Sequence, residues 1–289
     1  MYQYIPKESE LSSKPAIVVP VYRNKATPFD RISLAHLGKF LAAYDVFYIG
    51  PRDVSPFWKE YEFAVFPDRY FQSRLAYNRL MLDESLYARF SGYSHILIYQ
   101  LDAAVFRDEL LFWCDQPYDY IGATFYSDLI ERADGYRWRY AKCACCNGGF
   151  SLRRVDAFLR HLRTRDSTLV ATARCIARGD LNGANQLLRY RRHLSPTRYQ
   201  PHESLNEDVY YGVFSKFIRP ALRTPSPDVS DRFAFENIPH EVFERAGKAM
   251  PFGCHAWYKS DETLTFWRPH LIGDIPRRVD AIGGSSDID

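Results

Sequence analysis

The sequence predicts an α/β protein whose central sheet is mostly parallel, and three features support this prediction. Short apolar runs at residues 16–21, 46–49 and 96–106 are typical of strands buried on both faces. Segments with apolar residues at helical spacing, at residues 34–42 and 76–90, stand between these runs. Strands that alternate with helices predict right-handed βαβ units, and such units build parallel sheets.

The later part of the chain continues the same pattern less regularly. Residues 118–122 and 150–152 are expected to form strands, and residues 155–162 have the apolar spacing of a helix. Residues 123–146 lack periodicity and are expected to form a loop over the sheet.

The composition is that of an ordinary globular protein. The chain has 289 residues, of which 46% are hydrophobic and 25% charged, so it can bury a sizeable core. A formal net charge of +3 is too small to indicate a nucleic-acid partner, and it is compatible with an anionic small ligand. The aromatic content of 16% suits flat polar ligands such as bases and sugar rings, or simply the core.

The sequence predicts a cytoplasmic location. The first seven residues have no apolar signal core, and no stretch reaches the length of a membrane span. Peripheral contact with the inner face of a membrane is left open. The six cysteines are expected to be reduced thiols. Cys143, Cys145 and Cys146 suggest zinc, but a closed zinc site needs a second pair of ligands, so structural zinc is not favoured.

A single carboxylate stands near the end of the apolar run at residues 96–106. Ligands of open α/β sheets bind beyond the carboxyl ends of the strands, where Asp102 would lie. A carboxylate there is costly to desolvate unless a cation or hydrogen-bond donors meet it. Asp102 is therefore either a ligand of a divalent metal or a cap for the following turn.

The loop after the first strand combines groups that can meet a nucleotide. It contains Pro20, Tyr22, Arg23 and Lys25, which offer an aromatic face and two cations. An exposed basic turn is the alternative.

Three later segments each combine a functional and a structural interpretation. Gly148 and Gly149 allow close approach of the main chain to a ligand, or form an Asn-Gly turn. Glu207 and Asp208 open an apolar helix, where they either favour its N-terminus or supply a general base. His255 is either a metal ligand or a packing residue.

Taken in order, these segments resemble the GT-A fold of nucleotide-sugar glycosyltransferases, a Rossmann-type α/β fold. The chain looks most like an uncharacterised group of bacterial glycosyltransferase-like proteins of unknown function. The likeness runs from about residue 15 to residue 257. It rests on the segments Tyr77-Asn78-Arg79, the Asp102 strand, Asn147-Gly148-Gly149-Phe150-Ser151, Asn206-Glu207-Asp208 and Gly253-Cys254-His255-Ala256-Trp257.

A more distant similarity is to the β-1,4-galactosyltransferases. In that family a Pro-Phe-Arg-Asn-Arg loop and a Phe-Asn-Arg helix start contact UDP, which implies this role for Pro20, Arg23, Asn78 and Arg79. The family's Asp-Val-Asp matches Gln100-Leu101-Asp102, so the metal-binding Asp is kept and the first Asp is replaced by Gln100.

The same similarity covers the later motifs. The family's Gly-Gly segment matches Gly148-Gly149, its Gly-Glu-Asp matches Asn206-Glu207-Asp208, and a late histidine ligand of manganese matches His255. The resemblance thus implies Mn²⁺ or Mg²⁺ at Asp102 and His255, a UDP-sugar donor, and the sugar over the two glycines.

The implied reaction is transfer of a hexose to a hydroxyl of a glycan, a glycolipid or a protein. Asp208 would be the general base of an inverting reaction, and Glu207 would hold a substrate hydroxyl. Two alternatives stay open: an inactive module that binds nucleotide-sugars or glycans, and a sugar nucleotidyltransferase. The latter usually has a glycine-rich loop after the first strand, and residues 20–28 contain no glycine.

The resemblance also sets the expected domain organisation. One GT-A-like domain would cover residues 1–275, with a nucleotide-binding half at about 15–106 and an acceptor half at about 107–275, and residues 276–289 would be a disordered tail. A basic helical insertion at residues 163–200 would recognise an anionic acceptor. The basic residues that suggest this are Arg189, Arg191, Arg192 and His193, and a solvated helical face is the alternative.

Overall fold

A six-stranded sheet forms the centre of the computed structural model, which describes residues 14–126, 143–145, 147–190 and 206–277. From one edge to the other the strands are β3 (Glu62–Val65), β2 (Asp45–Gly50), β1 (Ala16–Pro20), β4 (His95–Tyr99), β9 (Phe150–Arg154) and β6 (Tyr120–Ile121). Neighbours pair in parallel except around β9, which is antiparallel to both β4 and β6. The predicted α/β class with a mostly parallel sheet is confirmed.

The two central strands are buried on both faces, as their apolar sequences predict. Every residue of β1 and β4 is buried, and alternate side chains enter two separate cores. Ile17 and Leu97 pack into the core on one face of the sheet, whereas Val18 and Ile98 pack into the core on the other face. Apolar layers on both faces fix the register, because a shift by one residue would exchange the two sets of side chains.

The first helix, α1 (Pro28–Phe40), has a well-defined start. Thr27 accepts a hydrogen bond from the backbone of Asp30, and the Asp30 carboxylate accepts one from the backbone of Thr27, which forms a capping box. The helices between α1 and residue 164 are α2 (Arg74–Met81), α3 (Glu84–Arg89), α4 (Leu110–Cys114) and α5 (Val155–Thr164). The later helices are α6 (Thr168–Ala177), α7 (Leu181–Tyr190), α8 (Glu207–Val209), α9 (Pro227–Phe233), α10 (Pro239–Arg245) and α11 (Asp261–Trp267).

The single long helix expected at residues 76–90 is wrong, because the segment forms two helices, α2 and α3. Asp83 lies at the break, where its side chain accepts a hydrogen bond from the backbone of Ser85 and caps α3. Its other carboxylate oxygen accepts a hydrogen bond from the Tyr70 hydroxyl at 2.6 Å. These two bonds stabilise a non-helical backbone at Asp83 although the apolar spacing continues through it.

The apolar run at residues 96–106 is likewise divided rather than one strand. β4 ends at Tyr99, a turn contains Asp102, and β5 (Ala104–Val105) joins a second, three-stranded sheet. In that sheet β5 pairs with β11 (Gly253–Cys254), which pairs with β10 (Ala234–Phe235). The small sheet therefore places residues 234–254 next to the carboxyl end of β4.

The loop expected at residues 123–146 is partly wrong. β7 (Thr124–Tyr126) and β8 (Cys143–Cys145) pair as antiparallel strands. The Cys145 thiol is buried against Gly122, to whose carbonyl it donates at 3.2 Å. Cys146 lies outside the described residues, so the zinc hypothesis is not tested there.

The predicted basic insertion contains two helices, α6 and α7, which pack against each other. Arg189 is exposed near the end of α7. Arg191, Arg192 and His193 lie outside the described residues, as do residues 278–289 of the tail predicted at 276–289. Within the ranges that the structure describes, no helix combines the length and apolar character needed to span a membrane.

Candidate functional site

Four segments of chain meet at the carboxyl end of β4. Because β9 runs antiparallel to β4, the start of β9 lies beside the end of β4. There the backbone N–H of Gln100 donates to the Gly149 carbonyl at 2.9 Å. The ends of β10 and β11 arrive from the small sheet, and α8 begins next to Gly148. The chain crosses from one side of β1 to the other between β3 and β4, so the ends of β1 and β4 flank a topological switch point.

His255 lies at the centre of this meeting point and contacts groups from three other segments. Its Nε2 is 3.1 Å from Asp102 Oδ1 and 3.0 Å from Gln100 Oε1. Its Nδ1 is 3.3 Å from Glu236 Oε1 and 3.0 Å from Asn147 Nδ2. We call these five residues, Gln100, Asp102, Asn147, Glu236 and His255, the His255 cluster.

The charges of the cluster compensate one another. Burial opposes protonation of His255, but the carboxylates of Asp102 and Glu236 outweigh it and raise the pKa of His255 to about 10. Burial alone would raise the pKa of Asp102, but the nearby imidazolium holds it below its ordinary value. Without a metal ion, Asp102 and His255 therefore form a partly buried ion pair.

Asn147 orients the imidazole from its other side. The backbone of Phe150 donates to Asn147 Oδ1 at 2.9 Å, so the amide presents its Nδ2 donor to His255 Nδ1. The Tyr120 hydroxyl donates to the Asn147 carbonyl at 2.6 Å and fixes the main chain. The Asn147 donor suits a neutral ring that accepts at Nδ1, whereas the protonated ring donates from Nδ1 to Glu236 Oε1.

The two glycines of the predicted Gly-Gly motif permit close packing against functional side chains. A Cβ atom at Gly149 would lie 2.0 Å from His255 Nε2, and one at Gly148 would lie 2.3 Å from Glu207 Oε1. A Cβ atom does not tolerate contacts this short, so a larger residue at either position would displace the side chain that faces it. At Gly149 that side chain is His255, the centre of the cluster.

We expect Gly149→Ala to displace His255 and to destabilise the fold by about 1–3 kcal/mol, the usual cost of overpacking a tight site. Urea denaturation measures the change. Gly92→Ala is the matched control, because a Cβ there meets no atom within 4 Å and its free energy of unfolding should hardly change. Equal stabilities of the two variants would contradict the packing role of Gly149.

The two acidic residues at the start of α8 lie in different environments. Glu207 is buried and its Oε1 accepts from Arg153 Nη2 at 2.9 Å. Arg153 is itself 0% exposed and also donates to the Tyr87 hydroxyl at 3.0 Å. Glu207 is thus held by an ion pair inside the protein, whereas the resemblance implied a contact with a substrate hydroxyl.

Asp208 is less buried than Glu207 and has no such cation paired with it among the described residues. Burial raises the pKa of Asp208 well above its ordinary value, and the carboxylates of Glu207 and Glu236 raise it further. Its Oδ1 accepts from the backbone of Val209 at 2.7 Å. In many sites two neighbouring carboxylates lie in different surroundings, so that one stays charged or holds the structure and the other transfers a proton.

The loop after β1 lies where the sequence places it. Pro20 is buried at the end of β1, and Tyr22 is 50% exposed. Arg23 pairs with the buried Asp30 carboxylate at 3.1 Å, and its carbonyl accepts from Trp58 Nε1 at 2.7 Å. The start of α1 therefore fixes Arg23, and its Nε is buried without a hydrogen-bond partner among the described residues.

Asn78 and Arg79 lie on different sides of α2. Asn78 is buried and donates to Asn206 Oδ1 at 3.1 Å, which ties α2 to the residue before α8. Arg79 is exposed and lines a cavity on the other side of the helix. The structure brings Asn78 toward the site, whereas Arg79, for which the resemblance implied a contact with UDP, lies on the opposite side of α2.

Two residues of this site were not singled out from the sequence, and Asn147 was named only as part of the Asn-Gly-Gly segment. Glu236 follows the apolar residues of β10, and Arg153 lies within the buried strand β9. An arginine inside a buried strand is itself a signal, because such a charge requires a buried partner. Among the residues that the structure describes, no group of three or more His, Cys, Asp or Glu side chains is arranged to hold a metal ion.

The family model that matches the chain is "Protein of unknown function (DUF5672)", over residues 60–255. This range is more than half of the chain, and the chain belongs to this family. The match includes Asp102, the two glycines and Asp208, and it ends at His255. No curated protein matches the sequence.

Several solved structures to which the chain is similar are glycosyltransferases. The galactosyltransferase LgtC, in complex with donor and acceptor sugar analogs, is 13% identical with a TM-score of 0.48. The similarity covers 92% of this chain and 99% of that one. A glycosyltransferase involved in glycosylation of the major capsid of PBCV-1 is 13% identical, with a TM-score of 0.46 and coverage of 89% and 99%. Core-mannan synthase A of Aspergillus fumigatus, in its Mn/GDP form, is 11% identical, with a TM-score of 0.35 and coverage of 53% and 62%.

Proposed function

We propose that this protein is a metal-dependent glycosyltransferase that moves a hexose from a UDP-sugar to a hydroxyl of a glycan, a glycolipid or a protein. The observation that carries the proposal is the meeting of Asp102, the Gly148-Gly149 segment, Asp208 and His255 at one switch point of an α/β sheet. The same four motifs, in the same order, support the resemblance of the sequence to nucleotide-sugar glycosyltransferases.

The chemistry of the His255 cluster fits a divalent cation. A carboxylate oxygen of Asp102 and an amide oxygen of Gln100 lie within 3.1 Å of His255 Nε2. Imidazole nitrogen and oxygen ligands of this kind suit Mn²⁺, and Mg²⁺ to a lesser degree. Glu236 lies behind Nδ1 and would hold the ring as an outer carboxylate. When bound, the cation would stabilise the negative charge of the departing nucleoside diphosphate.

We assign the nucleotide to the ends of β1 and β4. Pro20, Tyr22 and Arg23 would contact the base and ribose or the phosphates, and Asn78 would fix α2 against the site. Arg23 has the geometry for charge-assisted bonds to phosphate, since its guanidinium is already held on Asp30. Gly148 and Gly149 provide main-chain surface next to the sugar.

We assign proton removal to Asp208. Its raised pKa gives the carboxylate a basicity closer to neutral pH, which improves a general base. Oδ1 already accepts from Val209, so we place the acceptor's proton on Oδ2. A base on the face opposite the leaving group would invert the anomeric configuration. Glu207 would position Asp208 through its buried bond to Arg153.

Gln100 supports one alternative. It stands where the similar family has a second acidic residue, and its Oε1 contacts His255 Nε2 at 3.0 Å. A site with one acidic ligand fewer could bind a nucleotide-sugar without transferring it. Hydrolysis of the bound donor, with Mn²⁺ or with EDTA, separates an enzyme from a binding module.

A panel of UDP-, GDP- and dTDP-sugars tests the donor assignment by thermal shift. A bound donor raises the melting temperature by mass action, and the shift should need Mn²⁺. We expect UDP-hexoses to give the largest shift. Metal-independent shifts of equal size for all nucleotides would contradict the proposal.

We expect Asp102→Ala to abolish metal-dependent donor binding while the protein stays folded, because the variant removes the anionic ligand. Calorimetry with UDP and Mn²⁺ measures the loss. Asp156→Ala is the control, since Asp156 is an exposed partner of Arg160 remote from the sheet's carboxyl edge. Undiminished manganese dependence in the Asp102 variant would remove Asp102 from the metal site.

A further inference from the structure

A cavity of about 520 Å³ lies against the side of α2 that faces away from the His255 cluster. Leu75, Ala76 and Arg79 of α2 line it, whereas Asn78 and Met81 of the same helix contact Asn206 and Arg153. Its volume lies within the range of small-molecule sites. We call it the arginine cavity, after its charged lining residues Arg69, Arg79 and Arg165.

The charge of the arginine cavity is unbalanced. Its described lining contains three guanidinium groups and one carboxylate, that of Asp83. Asp83 is already bound by the Tyr70 hydroxyl and the Ser85 amide, at 2.6 and 2.9 Å. The lining therefore has an excess of two positive charges, which a phosphate dianion would neutralise.

Arg165 is held in the cavity wall by a defined chain of hydrogen bonds. Burial lowers the pKa of His161 to about 4, so its ring is neutral and its Nδ1 donates to the Pro220 carbonyl at 2.6 Å. Nε2 must then accept from the Tyr210 hydroxyl at 2.8 Å, and that oxygen accepts from Arg165 Nη1 at 2.9 Å. Each hydrogen bond from Arg165 to Pro220 has only one possible donor, so the chain of bonds holds Arg165 in place before any ligand binds.

Arg165 nevertheless has unused hydrogen-bonding capacity. Its guanidinium lies over the Tyr210 ring, 5.2 Å from the centroid, and its Nε is buried without a partner among the described residues. A buried N–H group without a partner is costly, and a ligand oxygen would relieve that cost.

Arg69 is positioned in a similar way. Its guanidinium lies 4.7 Å from the centroid of Tyr70, and its Nη2 donates to the Tyr70 hydroxyl at 3.2 Å. The first turn of α2, with Ser73 as its N-cap, lies in the same wall. The partial positive charge of a helix N-terminus adds to the attraction for an anion.

We propose that the arginine cavity binds a phosphate or diphosphate group at a site separate from the His255 cluster. Three guanidinium groups, two of them fixed on tyrosines, and the start of α2 are the groups that bind it. The site is independent of the proposed transfer reaction, because no residue of the His255 cluster lines it.

Calorimetry with inorganic pyrophosphate tests the site. EDTA is present so that no metal ion at Asp102 can hold the pyrophosphate there. The wild type should bind, less tightly at high salt. The triple variant Arg69→Gln, Arg79→Gln, Arg165→Gln should bind about 10- to 100-fold more weakly, the effect of losing at least one charge-assisted hydrogen bond. The matched control, Arg31→Gln, Arg160→Gln, Arg232→Gln, removes three exposed arginines elsewhere and should bind like the wild type.

Two further variants keep the test decisive. Arg79 is exposed, so Arg79→Gln alone should fold and still lose about tenfold in affinity. Asp102→Ala should retain wild-type affinity, because the two sites are separate. No binding by the wild type, equal binding by the triple variant, or loss of binding in Asp102→Ala would each overturn the proposal.

Discussion

Replacing Asp208 by asparagine should lower turnover about 10²- to 10⁴-fold, the usual contribution of a positioned general base, and leave donor affinity nearly intact. Asparagine keeps the size of the side chain and its acceptor for the Val209 amide, but it cannot take a proton. Donor binding by calorimetry and transfer rates measure the two effects separately. Asp228→Asn, in the first turn of α9, is the control.

The same variant has an expected effect on stability that needs no substrate. The folded-state pKa of Asp208 is raised, so the folded protein binds its proton more tightly than the unfolded chain does. The stability that this tighter proton binding adds is fully present below about pH 4, the pKa of Asp208 in the unfolded chain. It is lost as the pH rises through the pKa of Asp208 in the folded protein. Asp208→Asn should therefore be more stable than the wild type at neutral pH, and the difference should vanish in acid.

Transfer with retained anomeric configuration would contradict the inverting role of Asp208. An unchanged turnover would leave it as an ordinary residue of a helix start. Equal stability of variant and wild type at every pH would show that its carboxylate is not disfavoured by its surroundings.

Replacing Arg153 by methionine should destabilise the protein by about 3–5 kcal/mol, because the Glu207 carboxylate would remain buried without its cation. Arg153 is 0% exposed and its guanidinium lies over the rings of Tyr120 and Tyr211. Chemical denaturation measures the change in the free energy of unfolding. Arg160→Met is the control, since Arg160 belongs to an exposed ion pair on α5.

A double variant separates the unpaired charge from the loss of packing. Adding Glu207→Met to Arg153→Met removes the orphaned carboxylate and should recover most of the lost stability. No recovery would show that Arg153 acts through its ring contacts rather than through Glu207.

The parts of the fold that were predicted from the sequence are those in which local patterns and burial agree. β1 and β4 are continuous apolar runs because parallel strands between two layers have no solvent face. The break between α2 and α3 was missed because Leu80 and Leu86 are both fully buried, so the apolar spacing continues across Asp83. The local cap at Asp83, which accepts from the Ser85 backbone, was outweighed by this spacing in the sequence prediction.

The candidate site was predicted in part. The resemblance implied one metal site for Asp102 and His255, and their side chains lie 3.1 Å apart. Glu236 was missed because only the pairing of β10 with β11 brings it to the imidazole. The burial of Glu207 was missed as well, because an acidic residue at a helix start normally faces solvent and its buried partner, Arg153, is 54 residues away.

The contact between Gln100 and His255 has a consequence for the order of biosynthesis. The two residues are 155 positions apart, so at about 5–20 residues per second roughly 8–30 s separate their synthesis on the ribosome. During that interval the nascent chain has both central strands of the sheet but lacks the imidazole that contacts Gln100 and Asp102. Asp102 then has no His255 to compensate its charge. The nascent protein cannot form the His255 cluster until the whole matched range has been translated, because His255 is its last residue.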